Sequence, residues 1–488
     1  MSREDTMPTV TPLSDAKRKL LEKFLQGEFA IPTEENATIS KRQSDELAPL
    51  ALSQEQVLIR EQMVPKIPPL YNESATVYRF GPLDVEILER SFTEIIRRHE
   101  IWRTTYAIRH GKGVQVVHPA PERFRLQLVD LRSMPADRRS AEAHRLGSEE
   151  ARRPFDMQQG PLVRATLIQF HETEHRLCLI VHQSILDGVS VYQVLLRELA
   201  ALYEAFYTGK PSPLPDQPIQ FGDFASWQRG WLKGQVLERE MVYWKKQLAG
   251  ELPALAWPTE RPRPATESFR GSIEPFTFPE SLSSAVRALS QQWESTLFVV
   301  LLTGFIGLLY NYTRQDDIIV GTVSPAGRKR SEAQKLMGYF LNPVPLRFHL
   351  AGAETFHDLL HQVQDVVSGA ISHDDVPFEY LVRELQPKAD PSRNPFFTVA
   401  ASLEPPLADV GPQWSLTPMD VESGGARWDL YFVWDDRPTG MIGRVQYNPD
   451  LFQRETVGSM VRDFQLLLAR VVLDPGLKIA ALCPDSPA

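Results

Sequence analysis

The stretch RLCLIVHQSILDG, residues 176–188, constrains the fold more tightly than any other part of this chain. Leu177, Leu179 and Val181 alternate with Cys178 and Ile180, and both sets are apolar until His182. That is the pattern of a central strand buried on both faces, because a strand with one wet side alternates apolar and polar. Side chains alternate along a strand, so His182 and Gln183 point to opposite sides and one of them faces a cleft. After Asp187 and Gly188 the period becomes helical: Val191, Val194, Leu195, Leu199, Leu202 and Phe206 form one apolar stripe, and Ser190 with Gln193 has the spacing of a capping box. A buried strand running through a polar turn into an amphipathic helix exposes polar groups at a sheet end, where sites are often built. A lone histidine at a strand end is also commonly a structural residue, so the turn alone does not decide between the two.

The rest of the chain repeats this alternation of strand and helix. Helical spacing runs over 52–63, with Leu52 first, and over 84–99, with apolar Val85, Leu88, Phe92, Ile95 and Ile96. Strand patterns fall at 75–80, 104–110 and 113–119, and a further helix near 137–151. Residues 13–27 place Leu20, Leu21, Phe24 and Leu25 on one stripe, a short amphipathic helix on a polar linker. Four prolines lie between Gly209 and Gln220, a stiff connector. We therefore divide the chain into a helix and linker (1–45), a first lobe (46–215), a second lobe (216–480) and a tail (481–488). A chain of 488 residues suits two lobes of roughly 200 residues each. The expected class is α/β.

A net charge of −9 argues against a nucleic-acid groove, which needs a concentrated basic surface. The only basic run, Arg328, Lys329 and Arg330, reads from charge alone as a solvated loop. No stretch has the uninterrupted apolar length of a membrane span and the N-terminus lacks an apolar signal core, so neither membrane nor nucleic acid is expected as a partner. Cys178 and Cys483 are the only cysteines, far apart, which fits a reducing, cytoplasmic setting without disulfides.

HQSILDG resembles the HHxxxDG core of condensation domains from nonribosomal peptide synthetases, and the likeness continues along the chain in order. LSQEQ (52–56), RRHEIWRTTY (97–106), FGDFASWQR (221–229), VGTVSPAGR with GYFLNPVPLR, DDVPFEYLV (374–382) and SRNPFF (392–397) are similar to that family's other motifs. The resemblance implies two chloramphenicol-acetyltransferase-like lobes in a V, a pseudo-dimer within one monomeric chain, with the reaction centre in a central tunnel. It implies an acyl thioester donor on one phosphopantetheine-bearing carrier protein and an acceptor on another, joined as an amide or, less often, an ester, with no metal or bound cofactor. No attachment serine motif and no adenylation signature are found, so substrates are expected to arrive on partner carriers.

Residue by residue, the resemblance assigns His182, Gln183, Asp187 and Gly188 to the catalytic turn. His182 matches the family's inward histidine, and Gln183 stands where its tunnel-facing histidine would be. Asp187 matches a structural aspartate paired with an arginine, for which Arg328 and then Arg103 are the candidates. Ser184, Asn342 and Arg393 are assigned to the tunnel. His373 and Asp374, just before the sixth motif, read as a surface turn. A carboxamide accepts no proton near neutral pH, whereas an imidazole of pKa about 6.5 does. Two expectations follow: an acyltransferase that favours amines because Gln183 orients the acceptor through its oxygen, or a degenerate domain that serves as a binding platform for carriers or tailoring enzymes.

Overall fold

A computed structural model of the chain describes residues 38–43, 47–63, 67–351, 355–417 and 421–481. The helix expected over 13–27, Cys483 and all but the first residue of the expected tail lie outside them. Two mixed sheets, each backed by helices, build the two lobes. The first sheet runs, from edge to edge, Trp414–Thr417, Asn72–Phe80, Glu174–His182, Val163–His171 and Gln127–Asp130. Glu174–His182 is its middle strand, and both faces are covered as the doubly apolar pattern requires. Leu177, Leu179 and Val181 join a core with Phe92, Ile95 and Leu199, while Cys178 and Ile180 pack on Ala151 and Val421. Each such side chain contributes about 1.5–3 kcal/mol when fully withdrawn from water.

The edge strand Trp414–Thr417 comes from the far half of the sequence and pairs antiparallel with Asn72–Phe80. Backbone hydrogen bonds thus tie the second half of the chain to the first lobe. The helix Phe221–Trp231, past the proline-rich connector, likewise sends Phe221 and Phe224 into the first lobe's core, beside Leu336, Met337 and Phe340. The second sheet runs Ser272–Thr277, Gly440–Tyr447, Leu430–Arg437, Val399–Leu403, Asp317–Ser324 and Asn342–His349. Its core is packed around Phe305, Phe432, Trp434 and Phe464. The apolar helix Leu297–Thr313 is enclosed there, and no single helix among the described residues is long and apolar enough to cross a membrane.

Two local expectations are corrected. The helix after the central turn is capped by Asp187, whose Oδ1 accepts from Ser190 N at 2.8 Å, and not by a Ser190–Gln193 box. It opens as a wider π-type turn over Ser190–Leu195, which shifts Gln193 outward to donate to the Pro406 carbonyl. The basic run is not solvated either. Arg328 is completely buried, Lys329 ion-pairs with Asp374 and Asp375, and Arg330 lies 4.0 Å over the Trp227 ring. Asp374 is therefore no surface residue: it is fully buried, and burial pushes its carboxyl up to about 6 against the pull of Lys329.

Candidate active site

The alternation at the end of the central strand separates two neighbours completely. His182 turns into the first lobe, where its ring is 1% exposed and stands edge-on to Phe155. Its Nδ1 accepts from Ser184 N and lies 2.7 Å from Ser184 Oγ, which leaves Nε2 as the N–H donor to Glu61 Oε1 at 3.0 Å. Both ring nitrogens are engaged, and the ring does not line the cavity on the other side. Ser184, assigned to the tunnel from sequence, is fully buried beside His182 and does not line that cavity either.

Gln183 does line it. The cavity lies between the lobes, its walls drawn from the central turn and from the second sheet, and Glu73, Gly188, Glu404, Arg427 and Arg444 share it with Gln183. Gln183 N donates to the Tyr71 carbonyl at 2.7 Å, and its Oε1 accepts from Arg427 Nη1 at 3.0 Å. A guanidinium has only donors, so the carboxamide must present its oxygen to Arg427 and keep its N–H groups for other partners. The orienting oxygen expected from sequence is thus already held by a cation.

Arg427 was not foreseen. It is buried, which works against its charge, yet Tyr339, Glu73 and Tyr71 hold it above its ordinary range. Its guanidinium lies 4.9 Å from the Trp428 ring and 3.9 Å from Glu73. The loop that carries it is pinned to the strand beside it: Gly271 N donates to Gly424 O at 2.8 Å and Ala426 N to Phe269 O at 2.9 Å. A Cβ on Gly271 would lie 2.3 Å from the carbonyl carbon and oxygen of Gly425. Gly271→Ala is therefore expected to destabilise the protein by about 1–3 kcal/mol and to loosen Arg427 from Gln183. Urea denaturation checks the first part, and unchanged stability would mean that the 424–427 loop yields freely.

Asp187 and Arg328 form the lock of the site. Arg328 Nη2 donates to Asp187 Oδ1 at 2.8 Å and Nε to Oδ2 at 3.3 Å, with both side chains wholly buried. Arg328 also donates to Ser190 Oγ at 2.5 Å and to the Leu336 carbonyl at 2.9 Å, and its guanidinium faces the Phe340 ring. Arg103, the other candidate partner, is not near: it donates to the His118 carbonyl on the surface of the first lobe. Gly188 permits a close approach, since a Cβ there would lie 3.1 Å from Glu404 Oε2.

Two further assignments are not brought to this cavity. Asn342 gives its amide N–H groups to the Asp374 and Val376 carbonyls, at 2.8 and 2.7 Å, and its oxygen accepts from Phe378 N at 3.0 Å. It pins the start of the strand Asn342–His349 to the turn that leads into the helix Phe378–Leu385. Arg393 ion-pairs with Asp390 in a separate cleft of the second lobe. The residue that sequence reasoning passed over most readily is Glu404, immediately after the strand Val399–Leu403. Burial pushes its carboxyl up to about 7, with Arg444, 4.0 Å away, pulling it back.

The family model described as Condensation domain matches residues 44–485. Chondramide synthase of Chondromyces crocatus is 38% identical over a span that covers 84% of this chain and 10% of that protein's length. Phosphinothricin tripeptide synthetase of Streptomyces viridochromogenes is 33% identical over 98% of this chain and 44% of its own length, so the chain spans less than half of either relative. Among solved structures, the first condensation domain of the calcium-dependent antibiotic synthetase has a TM-score of 0.78 at 20% identity, covering 90% of this chain and 99% of that one. The X-domain from teicoplanin biosynthesis has a TM-score of 0.77 at 24% identity, covering 92% and 100%. The two structures share the fold. With its two lobes, its HQSILDG turn locked by Asp187 and Arg328 and the match over nearly its whole length, the chain belongs to the condensation-domain family of nonribosomal peptide synthetases.

Proposed function

We propose that this chain is an active acyltransferase that passes an acyl group from a thioester to an acceptor nucleophile, forming an amide or an ester. Donor and acceptor are each delivered on the phosphopantetheine arm of a separate carrier protein, and no resident cofactor takes part. One observation carries this reading: a single cavity between the lobes gathers Gln183, Gly188, Glu404 and Arg427 at the end of the central strand. Such a space holds two reacting ends together and keeps bulk water from the thioester, which converts a bimolecular encounter into an oriented one. Gln183, anchored by Arg427, offers N–H donors to a carbonyl oxygen, the group on which charge develops as the acceptor attacks.

A second reading is favoured by that same contact. A carboxamide clamped by a guanidinium puts no titrating group at the turn, which suits a domain that only binds carriers or a tailoring enzyme. The experiment that separates the two uses the protein with two loaded carriers. The donor carrier bears each N-acetylaminoacyl group in turn, the acceptor carrier each free aminoacyl group and its hydroxyacyl counterpart, and intact mass spectrometry follows the acceptor. A mass gain equal to the donor acyl group, dependent on the protein, is expected for at least one pairing. Carrier binding with no transfer in any pairing sinks the acyltransferase and leaves the platform.

A further inference from the structure

We propose that Glu404 is the catalytic proton acceptor of this cavity, the group that takes the proton from an acceptor amine where Gln183 cannot. The proposal rests on the acyltransferase reading above and names a residue for it. Its support is geometric. Ser402 and Glu404 are two residues apart along one extended segment, and both line the cavity that Gln183 lines from the opposite lobe. Glu404 N donates to the Trp434 carbonyl at 2.7 Å, which holds the residue in line with the strand that precedes it. The carboxylate reaches across to the central turn, so close that any side chain at position 188 would press on it. Ser402 itself is engaged with the Tyr431 hydroxyl at 2.7 Å.

Among the described residues the carboxylate has one ionic partner, Arg444 at 4.0 Å, and spends neither oxygen on a hydrogen bond. The charged and titratable groups around it come from every neighbouring element: Tyr431, Asp435 and Arg437 from one strand, Arg444 from the next, Glu73 from the first lobe and Tyr192 from the π-type turn. Asp187 is held by Arg328, Ser190 N and Phe340 N, whereas the partly buried Glu404 carboxylate, 17% exposed, has only its ion pair with Arg444. A partly buried carboxylate that lines a cavity and is tied up in no hydrogen bond is free to act as a base there. Burial also places its affinity for protons near neutrality, matched to an α-amine of pKa about 8.

The step balances without a further reagent. The amine nitrogen attacks the thioester carbonyl carbon, a C–N bond forms, and one N–H proton passes to Glu404. The C–S bond then breaks, and Glu404 hands the proton to the departing pantetheine sulfur, returning to carboxylate.

The test uses the carrier pairing that gives most product with the unaltered protein. Glu404→Gln is expected to lower kcat/KM by about 10² or more, and to remove the step near pH 7 from the pH profile, leaving only the titration of the amine. A second measurement separates chemistry from packing. The folded-state affinity of Glu404 for a proton is raised above its unfolded value, so its contribution to stability is present below about pH 4.5 and lost as pH rises through about 7. Glu404→Gln is therefore expected to melt higher than the unaltered protein at pH 8, with the gap closing by pH 5. Full activity of Glu404→Gln overturns the proposal and leaves the acyltransferase standing. Loss of activity together with a lower melting temperature at pH 8 overturns it too, since Glu404 then only packs. Absence of product from the unaltered protein in every pairing overturns both readings at once.

Discussion

Arg328→Ala is expected to cost about 3–5 kcal/mol of stability, the largest effect of any single substitution considered, because it strands the Asp187 carboxylate in the interior. The guanidinium does more than neutralise that charge. It donates to Asp187 through two nitrogens, to Ser190 Oγ and to the Ala333 and Leu336 carbonyls, and it covers the Phe340 ring. Asp187 in turn caps the helix after the turn and accepts from Phe340 N at 3.2 Å. Removing the arginine opens a cavity and orphans several of these groups together. Domains are stable by only about 5–15 kcal/mol, so a loss of about 3–5 kcal/mol removes roughly a fifth or more of the margin. Urea unfolding measures it. Replacing both partners by apolar residues, Arg328→Met with Asp187→Leu, is expected to recover much of the loss, because a buried pair is far less favourable broken than absent. If Arg328→Ala unfolds within 1 kcal/mol of the unaltered protein, as judged against the usual cost of about 3–5, the pair is not what locks the turn.

The parts of this site written within one short stretch were legible, and those assembled by topology were not. The doubly apolar run through Leu177 and Val181 located the middle strand, alternation set His182 and Gln183 on opposite sides, and the family resemblance said which of them faces the cavity. Asp187 was correctly paired with Arg328 through the family resemblance, while charge reasoning on Arg328, Lys329 and Arg330 pointed to solvent. Counting charges failed there because each cation meets a partner from a distant segment: Asp187, then Asp374 with Asp375, then the Trp227 ring. The capping box failed because Asp187, three residues earlier, competes for the same backbone donor and wins. Arg427 and Glu404 reach the cavity through strand order in the second sheet, which no local pattern encodes. Glu404 nevertheless repeats the signal that marked Gln183: an isolated polar residue at the end of an apolar strand, here VAASL. That rule, applied to every buried strand rather than one, finds it.

Amine acceptors are expected to react faster than hydroxyl acceptors on the same carrier arm by at least about 10²-fold. A hydroxyl stays protonated at neutral pH, while an α-amine of pKa about 8 is already partly neutral and nucleophilic. In its ammonium form the amine is also drawn to the carboxylates of Glu73 and Glu404, which face the cavity. Placing an imidazole at the turn is not expected to erase this preference. Arg427 donates to whatever acceptor stands at 183, so in Gln183→His its N–H engages the imidazole lone pair, and its charge disfavours the imidazolium that a base must become. Gln183→His alone should leave the amine-to-hydroxyl ratio within about 3-fold of its original value, whereas Gln183→His with Arg427→Met frees the ring and should narrow it by about tenfold or more. Competition between an aminoacyl and a matched hydroxyacyl carrier, read by intact mass, gives the ratio for each protein. A near-equal ratio in the unaltered protein, or a tenfold narrowing by Gln183→His alone, would show that Arg427 does not govern what position 183 can do.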